Sequence, residues 1–479
     1  MPTENSITLT KSDYLEYLTC PEAFWMVKHQ QIDMPGPTEA VQLLFEQGNL
    51  VDELAQQLFQ KDSFLAKRGY QPDAIRFQET VTEGGLLARC DIMVETESGH
   101  FLFEVKDSTR VKEEHLHDLA FQKVAFEKGG YFLPRVFLIH INPEYVRNGS
   151  PDPEEYLTVV DLTAEIEALL VDTRIRIEEA LQFLQGPQPA SQKDHFCDLK
   201  ADCPYFQFHF PELPDYSVFD ISRINKKKLK ALLKLGIHSI HEVPVDFPLS
   251  DKQRFQVEVA QSGDVQVDRD AIRTRLEALQ FPLYFLDYET FPFVLPFQDG
   301  YAPYGHMVFQ YSLHVLEAPD ADLQHVEYLL AAKEEPVQNL VEHLANAMSA
   351  EKGSVIVWND SFEKARNREL GALFPEYAAF FQSVNDRIFD LARIFADQLY
   401  VHPDFKGSYS IKKVLPVLAP ELSYESLAVG NGSAANWHWH RLTEGRVPEE
   451  EQEQVRQDLL AYCHLDTLAM VRVWEALNA

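Results

Sequence analysis

The sequence predicts a mixed α/β protein made of two large blocks with a small helical block between them. Three observations predict it. Strand-like apolar runs alternate with helix-period segments in both halves of the chain. A Lys-rich stretch with no strand pattern, at about residues 213–278, separates those halves. Two seams bracket that stretch, the PELPDY segment and the region from Asp270 to Pro282. The expected domains are therefore 1–212, 213–278 and 279–479.

The composition bounds the function. A chain of 479 residues with 45% hydrophobic content can bury more than one core, and its 12% aromatic content argues for folded rather than disordered structure. The net charge is −32, from 75 acidic and 43 basic residues. Such an excess repels free phosphate polymers. Chemistry on nucleic acid would need locally concentrated basic residues, metal ions or a protein partner supplying positive charge. Five scattered cysteines are too few for a secreted disulfide scaffold. The opening MPTENSITLT has no apolar signal core, and no apolar run approaches the roughly 18 residues a membrane span needs. A cytoplasmic protein with no membrane contact is expected.

In the first block VQLLFEQGNLVDELAQQLF carries apolar residues at helical spacing. LLARCDIMVET and GHFLFEVKDS read as two strands joined by a Glu-Ser-Gly turn. HLHDLAFQKVAFEKG returns to helix, and RVFLIHI is a further strand. In the last block PLYFLDYE, VFQYSLHVL and HVEYLL read as three consecutive strands. PVQNLVEHLANAMSA is a helix with Pro in its first turn, and SVIVWN is a buried strand followed by helix. A long helix with acids in its first turn, PEEEQEQVRQDLLAYCHLDTLAMVRVWEAL, closes the chain.

The strand pair of the first block places Asp91 on one strand, and Glu104 and Lys106 on one face of the next. Two adjacent carboxylates suit Mg²⁺, and a neighbouring lysine can orient water and stabilise phosphate charge. The following helix adds Gln122 and, one turn on, Phe126. This D-x12-E-x-K pattern with Q-x3-F resembles the PD-(D/E)xK nuclease core of the RecB-like type, where the aromatic is typically Tyr. The resemblance implies catalytic roles for Asp91, Glu104, Lys106 and Gln122, metal at Asp91 and Glu104, and a further ligand on an early helix, for which Glu53 is the candidate. It also implies a cysteine clasp joining the ends of the domain. Cys20, Cys197 and Cys203 match it, with His209 in the fourth place. Such a set suits a [4Fe-4S] cluster or Zn²⁺.

The middle block holds a basic island, with Arg223, Lys226, Lys227, Lys228, Lys230 and Lys234 and no acid until Glu242. L-x-x-L-G-I within it resembles a helix–hairpin–helix element. That resemblance implies sequence-independent phosphate contacts by Lys226, Lys227, Lys228 and Lys230. A solvated helix face is the alternative.

In the third block Asp287 and Glu289, two apart, point to one face of a strand. Asp360 and Glu363 follow SVIVWN, Asp360 as a candidate helix cap. Tyr462 and Asp466 share one face of the last helix. Cys463 and His464 lie between them and read as packing. The ordered set resembles the DEDD exonucleases of DnaQ-like, RNase H-like fold, in their tyrosine subtype. The resemblance implies two Mg²⁺ or Mn²⁺ ions held by Asp287, Glu289, Glu363 and Asp466, with Tyr462 positioning water. Glu363 stands where an Asp is usual, and Asp390 resembles a positional acid. The whole chain resembles a bacterial family that joins both nuclease types. The implied function is a nuclease trimming 3′ ends at the C-terminal site and cutting DNA, more than RNA, at the N-terminal one, in defence or repair. The alternatives are a nuclease-fold scaffold with little or no turnover and an oligonucleotide phosphodiesterase.

Overall fold

The computed structural model describes residues 8–32, 36–189, 206, 210–349 and 351–479. They divide into two compact units, Met1–His209 with Phe293–Gly305, and Phe210–Pro292 with His306–Ala479. Strands and helices mix in both. Three blocks were expected. The Lys-rich block instead belongs to the second unit, because its strand Gln266–Val267 pairs with Tyr400–Val401 and its Lys252 donates to the Ala396 carbonyl at 2.8 Å.

The first unit is built on a five-stranded sheet: Ala74–Phe77 (β1), Ile92–Thr96 (β2), Gly99–Lys106 (β3), Arg135–Ile141 (β4) and Leu157–Asp161 (β5), in that order across the sheet. Only β3 and β4 run parallel, and the helix Glu113–Lys128 is the crossover such a pair requires. Alternation along β3 sends Phe101 and Phe103 into one core with Leu54 and Leu58, from the helix Glu39–Gln60. Leu102 goes to the other core with Leu119 and Phe126. Glu104 and Lys106 thereby share the face beneath the crossover helix. The expected single strand LLARCDIMVET is broken at Cys90–Asp91. Leu86–Arg89 pairs instead with Thr80–Glu83 and Leu9–Thr10 in a separate small sheet. The break frees the Asp91 side chain to accept the Val105 N–H at 2.7 Å.

The second unit's five-stranded sheet uses Leu283–Pro292 (β6), His306–Leu316 (β7), Gln324–Leu329 (β8), Ser354–Val357 (β9) and Ile388–Asp390 (β10), in the order β8-β7-β6-β9-β10. β6, β7 and β8 are antiparallel neighbours, whereas β9 and β10 run parallel to β6. The central strand β6 is apolar on both faces at its start. Leu283 and Phe285 pack with Met470 and Trp474 of the last helix, Glu449–Asn478. Asp287 and Glu289 continue that same face, so they come under the same helix. A β-bulge between Glu289 and Thr290 shifts the β6–β7 register there. Bulges re-aim side chains and concentrate near active sites. Among the described residues, no helix is long and apolar enough to cross a membrane.

Candidate active sites

In the first unit Glu104 is fully buried and heavily engaged. Its Oε1 accepts from Lys11 Nζ at 2.6 Å and Lys106 Nζ at 2.8 Å, and its Oε2 from Gln122 Nε2 at 2.7 Å. Lys106 also donates to Asp118 Oδ2 at 2.6 Å, and Gln122 to Asp118 Oδ1 at 2.9 Å. Burial pushes the Glu104 carboxyl up, but the Lys106 and Lys11 ammonium groups outweigh it and hold it at about 2. Asp91 behaves oppositely. Burial and the neighbouring Glu104 charge raise it to about 8.

Asp91, Glu104, Lys106 and Gln122 therefore meet. The early-helix acid facing them is Asp52, not the expected Glu53. Gln78 Nε2 bridges Asp52 and Asp91 at 3.4 and 3.3 Å. Glu53 is exposed because the apolar stripe Val51–Leu54–Ala55–Leu58 turns it outward. Lys11 and Asp118 carried no sequence signal for this site. As a metal centre the arrangement fits poorly: both lysines already neutralise Glu104, and the described residues hold no compact group of three ligating side chains here. We derive no metal step for it. Phe126, at the position of the usual Tyr, is buried and packs edge-on against Tyr131. Cys20 caps the helix Pro21–Lys28, its Sγ accepting the Ala23 N–H at 3.4 Å. Cys197, Cys203 and His209 lie outside the described residues.

The second unit gathers Asp287, Glu289 and Asp466. Each offers a carboxylate oxygen, and these atoms lie within 4.8 Å of one another. Burial, then the Asp466, Glu289 and Glu363 charges, push Asp287 well above the carboxylate range. Glu289 rises to about 8 through burial and Asp466. Asp466 rises to about 6 through burial, held back by the Tyr424 hydroxyl, which donates to its Oδ1 at 2.6 Å. Lys412, from the helix Ile411–Leu418, is the cation beside them, lying over the Tyr424 and Tyr462 rings at 5.1 and 5.2 Å. Three clustered carboxylates against one lysine leave negative charge short of a counter-ion. An all-oxygen set of this kind suits Mg²⁺ or Mn²⁺.

Glu363 lies outside that compact trio. It is 3% exposed, with its Oε2 unpartnered, and burial followed by Asp390 raises it to about 8. Its charge still reaches Asp287. Asp390 accepts the Ala392 N–H at 3.1 Å and pairs with Arg393 at 3.3 Å, a positional arrangement. Asp360 does not cap its helix. Asn359 takes the cap position with φ 142°, and Asp360 pairs with Lys364 at 2.7 Å. Strained backbone of that kind clusters at functional sites. The Tyr462 hydroxyl lies 3.5 Å from Lys412 Nζ. Cys463 is buried with its Sγ 3.8 Å from Asp287 Oδ2. His464, expected as packing, instead faces two other histidines.

Lys226 and Lys227 are exposed on the helix Lys226–Lys234, while Lys228 and Lys230 are half-buried beside buried Leu229 and Leu232. A cleft of about 1290 Å³ in this unit is lined by Lys228, Arg223, Trp358, Arg393 and Tyr409, and reaches Asp390. Asp287, Glu289 and Asp466 do not line it.

Replacing Lys412 with Met removes the one cation beside Glu289 and Asp466. Without divalent ions the variant is expected to lose about 1 kcal/mol of stability, and the rise in Tm on adding Mn²⁺ should exceed that of wild type. Melting curves with and without Mn²⁺ check this. Equal metal-induced shifts would show that Lys412 does not share the cluster's charge.

Comparison with known proteins places this geometry among uncharacterised sequences. Residues 284–410 match a family described as a domain of unknown function, DUF2779. The match spans β6 to β10 and includes Asp287, Glu289 and Glu363, but ends before Tyr462 and Asp466. The uncharacterised protein UU173 of Ureaplasma parvum is 24% identical over 292 residues, which is 56% of this chain and 41% of that protein. The uncharacterised MG366 homolog of Mycoplasma pneumoniae is 28% identical over 212 residues, which is 40% of this chain and 31% of that protein. The chain thus spans well under half the length of either relative.

Proposed function

We propose that this chain is a metal-dependent nuclease whose working site is the Asp287–Glu289–Asp466 cluster of the second unit. The single observation that carries the proposal is the convergence of those three carboxylates within 4.8 Å, against one neighbouring lysine. The sheet order, with the acid-bearing strand central between an antiparallel pair and two parallel strands, supports an RNase H-like reading of this unit.

Mg²⁺ or Mn²⁺ bound there would activate water and stabilise the departing oxygen. Asp287, Glu289 and Asp466 would hold the ions, with Glu363 adding its charge to the set. Tyr462 positions the attacking water, and Lys412 sets positive charge beside the scissile phosphate. Tyr424 fixes the Asp466 carboxylate. The cleft offers Trp358 and Tyr409 for base stacking, and Lys228, Arg223 and Arg393 for phosphates. Arg223, Lys228, Lys252 and Arg393 outnumber Asp251, Asp390 and Asp397 in that lining by one, a small positive excess in a chain at −32.

For the first unit the two ammonium groups on Glu104 favour a second reading, a nuclease-like arrangement kept as a packed ion cluster without turnover.

The test uses single- and double-stranded DNA and RNA, labelled at either end, with Mg²⁺ or Mn²⁺. Progressive shortening of 5′-labelled strands with mononucleotide release is expected. Degradation confined to the shortest oligomers would reassign the site as an oligonucleotide phosphodiesterase. Absence of cleavage of every substrate would overturn the enzyme reading.

A further inference from the structure

A second group of ligating side chains lies on the same sheet face, two residues along from Asp287. The register sets Phe285, His314 and His325 side by side on β6, β7 and β8, next to the row Asp287, Ser312 and Glu327. His464 comes down onto His314 and His325 from the last helix, with ring centroids 4.8 and 4.3 Å away. One nitrogen from each of His314, His325 and His464 lies within 4.8 Å of the others.

Ordinary hydrogen bonding explains only part of this cluster. Thr467 Oγ1 lies 2.8 Å from His314 Nδ1 and 3.1 Å from the His464 carbonyl oxygen. Thr467 Oγ1 also lies 2.7 Å from Ser312 Oγ, and this network accommodates the His314 tautomer with Nδ1–H, in which Nε2 carries the lone pair. Ser312 Oγ lies 2.9 Å from His325 Nε2. His464 Nδ1, however, sits 3.3 Å from both ring nitrogens of His325, across rings tilted by 80°. A nitrogen equidistant from two others makes no directed hydrogen bond. Beside His325 Nε2, at 3.8 Å, stands Glu327 Oε2, a buried oxygen with no hydrogen-bond partner.

We propose that His314, His325 and His464 form a Zn²⁺ site. Imidazole nitrogens select Zn²⁺ over Mg²⁺, so the site differs in chemistry from the all-oxygen cluster. It pins the β7–β8 hairpin to the helix that carries Tyr462 and Asp466. Thr467 and Ser312 orient the ligands from behind, as second partners of metal-bound histidines do.

The test strips the full-length protein with chelator and titrates it with Zn²⁺ in excess Mg²⁺. Wild type, Cys20→Ser, His325→Gln and His464→Gln are compared by bound-metal stoichiometry and melting temperature. Cys20→Ser controls for any cysteine-bound zinc. One equivalent of Zn²⁺ that survives Cys20→Ser and raises Tm is expected, with affinity falling at least about tenfold in either histidine variant. The Co²⁺-loaded wild type should show the visible bands of a tetrahedral nitrogen-rich site, a readout that needs no variant to fold. The proposal falls if Cys20→Ser abolishes all Zn²⁺ binding, if the histidine variants bind as wild type does, or if the cobalt spectrum is octahedral.

Discussion

Asp287→Asn is expected to abolish divalent-ion-dependent hydrolysis, by roughly a thousandfold or more, while leaving the metal-free protein about as stable as wild type. The loss follows from position. Asp287 stands with Glu289 and Asp466 in one compact group and also feels the Glu363 charge, so removing its charge removes a ligand common to the set. The unchanged stability follows from its environment. Burial and the surrounding carboxylates push Asp287 toward its neutral form, which an amide copies. The variant should also lose most of the Mn²⁺-induced rise in Tm. Parallel kinetics and melting curves measure all three. A clear drop in metal-free stability would mean that Asp287 is a structural residue rather than a ligand held in reserve.

Glu104→Gln is expected to do the reverse, costing about 3 kcal/mol of stability and leaving hydrolysis unchanged. The amide leaves the half-buried Lys11 and Lys106 with Asp118 as the carboxylate they still pair with. In a unit of this size the loss corresponds to roughly 10 °C in the melting of that transition. The pH dependence gives the sign. Glu104 is held at about 2, whereas an unfolded glutamate titrates near about 4.3. Its contribution is therefore complete above about pH 4.3 and is lost as pH falls toward 2. The gap between wild type and Glu104→Gln, followed by calorimetry, should be widest near neutral pH and close on acidification. A gap that stays constant with pH would rule out an ionic origin.

The parts of both sites that lie on one regular element were legible in the sequence. Asp287 with Glu289, and Glu104 with Lys106, follow from strand alternation. Tyr462 with Asp466 follows from one helical turn. What joins those elements was not legible. Lys11 reaches Glu104 across 93 residues, and Tyr424 reaches Asp466 across 42, with no local pattern to announce either. Glu53 was the wrong choice over Asp52 for a physical reason that the apolar stripe of its helix already contained. The strand break at Cys90–Asp91 was hidden because LLARCDIMVET is apolar on both sides of it. The histidines were missed because His314 sits in an otherwise apolar strand, and its partners come from a neighbouring strand and a distant helix. The middle block looked separate by composition, but short-strand pairing, which composition does not record, ties it to the C-terminal unit.

The most direct measurement is Mn²⁺-dependent release of the terminal mononucleotide from a 3′-labelled single-stranded oligomer by wild type, Asp287→Asn and Glu104→Gln, at a temperature where all three are folded. The account predicts release by wild type and Glu104→Gln and none by Asp287→Asn. Release by Asp287→Asn at the wild-type rate, or none by wild type, would contradict it.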